Sequence, residues 1–169
     1  MAERKYRMYG LVPNNISSIQ KGIQFGHAVV EYGITQRYSE YLRWAAIDKK
    51  FIILNGGTTN KNLDRLGTLN NHLETLIKAG VRVEWFEEPD LGDQLTAIVF
   101  LVDDRVWDRE NFPDYVTDDG YLLESDLNGD VSESDPYEEW KSKISDSKEE
   151  QETIIFLREF LSPKNFKLA

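Results

Sequence analysis

Eight consecutive residues, Leu95-Thr96-Ala97-Ile98-Val99-Phe100-Leu101-Val102, form the most apolar stretch of the chain. They fall far short of the roughly 20 residues a membrane span needs, and their β-branched and aromatic content reads as a strand. A strand this apolar needs a sheet around it, and three other segments supply one. Tyr6 to Val12 has strand composition and ends at Pro13-Asn14-Asn15. Phe51-Ile52-Ile53-Leu54, closed by Asn55-Gly56-Gly57, has the continuous apolar pattern of a strand buried on both faces. Val81 to Phe86 alternates apolar with charged residues, as a strand with one wet face does, and runs into the turn-rich Glu87 to Asp93.

Helical spacing fills the intervals. Ser17 or Ser18 can cap a helix carrying Ile19, Ile23, Val30 and Ile34. A short helix is expected over Ser39 to Ile47. A longer one is expected over Asn60 to Ala79, with Leu63, Leu66, Leu69, Leu73, Leu76 and Ile77 in step and Gly80 at its C-cap. The order β, α, α, β, α, β, β predicts the α/β class, a small sheet of about four strands between helices. The short connection between the last two strands makes that sheet mixed.

Composition separates this region from the rest of the chain. Residues 1–101 hold 12 basic against 11 acidic side chains, and residues 102–169 hold 8 against 19, so the net charge of -10 resides in the second part. The expected organisation is an α/β domain over 1–102 and an acidic extension over 103–169. Asp114 to Asp135 is expected to be irregular. Glu149 to Leu161 is expected to be an amphipathic helix that docks on the domain or meets a partner. Four Trp, eight Tyr and eight Phe exclude a wholly disordered chain, and the lack of cysteine excludes disulfides, thiolate metal sites and thiol nucleophiles. With no signal-peptide pattern, the expectation is a soluble cytoplasmic protein without membrane attachment.

Several residues have the chemistry of a site. His27 lies beside the Ile23, Val30, Ile34 stripe, where a packed histidine is the ordinary reading and a general base facing Gln24 and Gln20 the functional one. Asp90 follows Pro89 as a turn residue would, and Glu87 and Glu88 would flank a cleft there with negative charge. His72 is expected at the surface. Asn55 to Asn60 lacks the lysine of a phosphate loop and reads as a capped turn. Asp126 to Ser132 lacks the glycine position and closing glutamate of a calcium loop. No metal and no cofactor is expected.

The helix after the first strand contains Gln24-Phe25-Gly26-His27-Ala28. It resembles the first helix of the type II peptidyl-tRNA hydrolases, the archaeal and eukaryotic class, with its Gly-Lys-(three small or apolar)-Gln-x-x-His-Ala signature. The resemblance covers roughly residues 6–102. Asp90-Leu91-Gly92-Asp93 looks like a shortened form of that family's Asp-Ala-Gly-Arg-Thr loop, and Thr96 stands where a threonine opens its last strand. The resemblance implies a small four-stranded mixed sheet between helices. It also implies hydrolysis of the ester joining a peptide to the 3′ end of tRNA. The family's lysine, aspartate and threonine fall on Gln20, Asp90 and Thr96, with Lys21 beside the first. A glutamine there acts only as a neutral donor. With the readings of the residues themselves added, the expected site is catalytic Gln20, His27, Asp90 and Thr96, with Lys21, Gln24 and Arg43 binding substrate. Arg4, Lys5 and Arg7 would join Lys21 and Arg43 in a basic patch. The implied ligand is tRNA or a nucleotide-like molecule. The other expectation is a catalytically degenerate hydrolase fold that binds or inhibits, its acidic extension meeting a basic protein. A homodimer is the expected self-association.

Overall fold

Strands pair in the order β2-β1-β4-β3, with β1 (Tyr6–Pro13) parallel to β2 (Lys50–Gly57) and antiparallel to β4 (Gln94–Asp103), which runs antiparallel to β3 (Val83–Glu88). The parallel pair needs a crossover. α1 (Ser18–Thr35) and α2 (Ser39–Arg43) supply it, α3 (Thr68–Lys78) joins β2 to β3, and the class is α/β with a mixed four-stranded sheet. This computed structural model describes residues 3–116 and 135–169. Most of the acidic stretch expected to be irregular, including Asp126 to Ser132, lies outside them. The chain forms two units, Met1–Asp104 with Phe160–Ala169, and Arg105–Glu159.

In the first unit the two central strands carry the core. Met8, Leu11 and Val12 of β1 and every residue from Leu95 to Phe100 of β4 are buried. α1 starts at a capping box in which Ser17 Oγ accepts from the Gln20 amide and Gln20 Oε1 accepts from the Ser17 amide. Its buried face is Phe25, Ala28 and Tyr32, with Gln24. Ile19, Ile23, Val30 and Ile34, the stripe that the spacing singles out, lie on the opposite side at 51–77% exposure. The physical reason is payload: Phe25 and Tyr32 join Tyr41, Trp44 and Phe51 in one aromatic cluster with ring centroids 5.2–5.8 Å apart. Four aliphatic side chains offer the sheet less than that. Burial pushes the Tyr32 phenol up to about 12.

Two elements differ from expectation. α2 runs on into a π-helical turn, Trp44–Asp48, which ends at Lys49 in the left-handed region. α3 begins at Thr68, because residues 58–67 are held by their asparagines: Asn60 Oδ1 accepts from the Asn62 amide, Asn62 Oδ1 from the Asp64 amide, and Asn70 Oδ1 from the Asn60 amide. Leu63 is consequently exposed. β2 is an edge strand with Phe51 half exposed. Its outer edge receives the last residues of the chain, through Asn55 N–H to Lys167 O and Ala169 N–H to Ile53 O.

The second unit contains α5 (Pro136–Ile144) and most of α6 (Lys148–Phe160); α4 (Asp104–Trp107) leads into it. Buried Arg158 donates to the carbonyls of Arg105 (2.6 and 2.8 Å) and Phe112 (2.8 Å) and pairs with Asp114 (3.2 Å). It ties the irregular residues 105–114 to α6. Among the described residues no helix is long and apolar enough to cross a membrane.

The packing has two testable consequences. A Cβ on Gly10 would collide with the Phe25 ring. Gly10→Ala should therefore destabilise the protein by about 1–3 kcal/mol, read as a lowered Tm. His72 is half-buried against the rings of Phe160 and Phe166, and burial lowers its pKa. A depressed histidine contributes stability above its unfolded pKa of 6.5 and loses it as pH falls through the folded value. The protection factors of the Asn55 and Ala169 amides, exchange corrected for its intrinsic pH dependence, should fall on acidification below pH ~6.5, and His72→Phe should remove that dependence.

Candidate active-site cleft

β3 presents Glu84, Phe86 and Glu88, alternate residues on one face, to α1. Gln36 Nε2 donates to Glu84 Oε1 (3.0 Å), His27 stacks on Phe86 (centroids 4.5 Å apart, 18° between planes), and Gln24 Nε2 donates to Glu88 Oε2 (2.6 Å). The helix is thus pinned along the strand at three points, and Gln24 lies at the end where β3 turns into β4.

Behind Gln24 stands Thr96. The register between β3 and β4 shifts between Phe86 and Glu87, so that Phe86 faces Ala97, Glu87 faces Leu95, and Thr96 is the extra residue. A bulge of this kind breaks strict alternation and re-aims a side chain. Ala97 packs in the cluster under α1, and the fully buried Thr96 hydroxyl points to that side too, donating to Gln24 Oε1 at 2.6 Å. The Phe86 carbonyl is a more distant second acceptor at 3.3 Å. The amide orientation of Gln24 follows from its neighbours, since an ionised carboxylate only accepts, and Nε2 must face Glu88. Thr96, Gln24 and Glu88 therefore form one chain of hydrogen bonds from the core to the surface. The Gln24 bond, then the Asp90 amide donating to Glu88 Oε1 (3.3 Å), hold the Glu88 carboxyl below the usual carboxylate range, and His27 acts in the same direction.

This chain ends in a cleft of about 130 Å³ lined by Ile16, Gln20, Gln24, Glu88, Asp90 and Leu91. A water takes about 30 Å³ of liquid, so the cleft has room for a few waters or one end of a ligand, less than the roughly 300–1,000 Å³ of a ligand pocket. The floor of the turn is fixed by Gly92 and Asp93, both at positive φ, and Lys61 donates to the Gly92 carbonyl (2.6 Å).

Of the residues that the sequence points to, Gln20, Gln24 and Asp90 line the cleft, and Thr96 reaches it through Gln24. Gln20 has a structural task as well, because its Oε1 closes the capping box; its Nε2 is the donor left for a ligand. His27 lies further along α1 on Phe86. Lys21 is outside the lining. Arg43 is outside it too, engaged with Glu3, the Arg4 carbonyl and Asp48. In the sequence Glu88 stands out only as a flanking charge. The signal lay in alternation carried two residues further: if Glu84 and Phe86 face the helix, Glu88 does. Among the described residues no three His, Asp or Glu side chains group as metal ligands.

Gln24→Met keeps the volume and removes both hydrogen bonds. The Glu88 carboxyl should then titrate closer to an ordinary glutamate, measured by carbon NMR of the carboxylates. The fold should lose about 1–3 kcal/mol, because the buried Thr96 hydroxyl loses its nearest acceptor.

Comparison with protein-family models and with curated proteins finds no match for this chain.

Proposed function

We propose that the first unit has the fold of a type II peptidyl-tRNA hydrolase and hydrolyses the ester between an acyl group or peptide and the 3′-terminal ribose of tRNA. The observation that carries this reading is the meeting of Gln20, Gln24 and Asp90 at one small open cleft, with Thr96 hydrogen-bonded behind it. These positions come from α1, the β3–β4 turn and β4, and Gln24-x-x-His27-Ala28 stands on the first helix after the first strand. The order of elements and the mixed four-stranded sheet support it as well.

In this reading a cleft too small for a nucleotide receives the ester end, and the rest of the tRNA terminus stays outside. Asp90 takes a proton from the attacking water as the water oxygen bonds to the ester carbon, the bond from that carbon to the 3′ ribose oxygen breaks, and the proton passes to the departing ribose oxygen, while Glu88 accepts a hydrogen bond from the same water or from the adjacent ribose hydroxyl. Ionised Glu88 positions water more than it abstracts a proton, because a depressed pKa makes a weak base. The second hydrogen on Gln24 Nε2 and the Nε2 group of Gln20 donate to the ester oxygen as negative charge develops on it. Thr96, by holding Gln24 Oε1, fixes the direction of that donor.

A second reading is favoured by one feature of the lining. None of its six residues is basic and two are carboxylates. A site that must approach a polyanion ordinarily supplies a cation, so this composition suits a degenerate hydrolase fold that binds without turnover. The acidic second unit, with 6 basic against 17 acidic residues over Arg105–Glu159, would then engage a basic protein.

Purified chain incubated with N-acetyl-aminoacyl-tRNA separates the two. The hydrolase reading expects release of the N-acetyl-amino acid, with kcat/KM lowered about 10- to 1,000-fold by Asp90→Asn and by Glu88→Gln. Release no faster than in buffer would sink it and leave the binding reading.

A further inference from the structure

The cleft offers a ligand many hydrogen-bond acceptors and few donors. Its charged groups are Glu88 and Asp90, and the side-chain N–H bonds of its lining belong to Gln20 and Gln24. A carboxylate has about four lone-pair sites. Glu88 gives one on Oε2 to Gln24 Nε2 and one on Oε1 to the Asp90 amide, so about two stay open. Asp90 is exposed, and its carboxylate enters no ion pair among the described residues. Against these acceptors stand one remaining N–H on Gln24 and the amide group of Gln20. In the proposed reaction each of the two glutamines gives an N–H to the ester oxygen.

Two kinds of ester end differ in this respect. A free α-ammonium brings three donors, a positive charge and no acceptor. An N-acylated α-nitrogen brings one donor and adds a carbonyl oxygen that needs a donor of its own. Only the second N–H of Gln20 is left among the lining side chains to meet that oxygen, and an acceptor set against carboxylates is left unsatisfied. Charge points the same way. Residues 87–93 carry four acidic side chains and no basic one. Two donors hold Glu88 in its ionised form, so its charge is fixed in place before a ligand arrives. The same turn already seats one ammonium, that of Lys61 on the Gly92 carbonyl at 2.6 Å. Ile16 and Leu91 form the apolar part of the lining, which suits an α-carbon and its side chain.

We infer that, within the hydrolase reading on which this rests, the preferred substrate is an aminoacyl ester whose α-amino group is free and charged, with Glu88 as the group that recognises the ammonium. The two carboxylates then divide the work. Glu88 accepts from the ammonium on one open lone pair and from the water or ribose hydroxyl on the other, while Asp90 takes the proton of the attacking water. The water oxygen bonds to the ester carbon, the bond from that carbon to the 3′ ribose oxygen breaks, and the proton passes from Asp90 to the ribose oxygen. The carboxylic acid so formed releases its own proton to solvent, and the ammonium is unchanged. The products are a free amino acid and tRNA with a 3′ hydroxyl.

Three esters of one tRNA test this: phenylalanyl, N-acetylphenylalanyl and phenyllactyl, the last with a hydroxyl in place of the amine. Each kcat/KM is taken after subtraction of release in buffer, since the three esters differ in spontaneous hydrolysis. The phenylalanyl ester should exceed each of the other two by about 10- to 100-fold, the size of a charge-assisted hydrogen bond, with both still cleaved faster than in buffer. Glu88→Gln should bring the ratio of phenylalanyl to phenyllactyl close to one. Asp90→Asn should slow both esters and leave their ratio as it is, because it removes the base and spares the ammonium contact. An N-acetylphenylalanyl ester cleaved as fast as the phenylalanyl one, or faster, overturns the inference and leaves the hydrolase reading standing. Equal rates for phenylalanyl and phenyllactyl overturn it too, since size without charge would then decide. A ratio indifferent to Glu88→Gln overturns the assignment of Glu88. No release from any of the three overturns the hydrolase reading and this inference with it.

Discussion

The close approach of α1 to the sheet at Gly10 is the contact on which the site depends. Gly10 sits mid-strand, opposite Ile53 on one side and Val99 on the other, and the Phe25 ring occupies the space a side chain there would need. The helix can therefore lie directly on β1 and β4. Gln24, the neighbour of Phe25, is carried down with it until its amide spans from the buried Thr96 hydroxyl to the surface carboxylate of Glu88. A helix held a side chain's thickness further out would leave both partners beyond hydrogen-bond reach. One missing Cβ thus links core packing to the polar chemistry of the cleft.

How much of the fold and the cleft is legible in the sequence depends on the kind of signal. The apolar run over Leu95 to Val102, the strand at Tyr6 and the Ser17 cap are local, and they appear within a residue or two of expectation. The helix over Asn60 to Ala79 is half legible. Leucine spacing marks its true part, while the asparagine turns that hold residues 58–67 are tertiary and outweigh the helical propensity of Leu63. The facing of α1 is misleading for a physical reason. Periodicity finds apolar stripes, and this helix has two, so the choice between them falls to the larger aromatic burial that only the packed structure displays. Thr96 is picked out by type alone. What aims it, the β-bulge opposite Phe86 and Glu87, has no signature in one sequence. Glu88 is legible in principle through the alternation of β3.

Electrostatics divides the molecule by task. The unit that holds the cleft is close to neutral, and its lining offers amides and carboxylates to a ligand end. The acidity belongs to Arg105–Glu159, whose buried Arg158 is consumed by carbonyls and Asp114. In the proposed reaction a small cleft without a basic residue in its lining takes selectivity from hydrogen-bond geometry more than from charge attraction. Recognition of the ester oxygen in that reading rests on the directions in which Gln24 and Gln20 point, and these are set by Thr96 and by the helix cap.

The most direct measurement is an NMR titration of the labelled chain with a 3′-(N-acetylaminoacyl)amino analogue of adenosine, whose amide replaces the ester and resists hydrolysis. A cleft that receives the acylated end predicts saturable shifts of the Gln24 and Gln20 side-chain amides and of the Glu88 and Asp90 backbone amides, while signals of the second unit stay still. Shifts confined to other surfaces, or none at millimolar analogue, would contradict it.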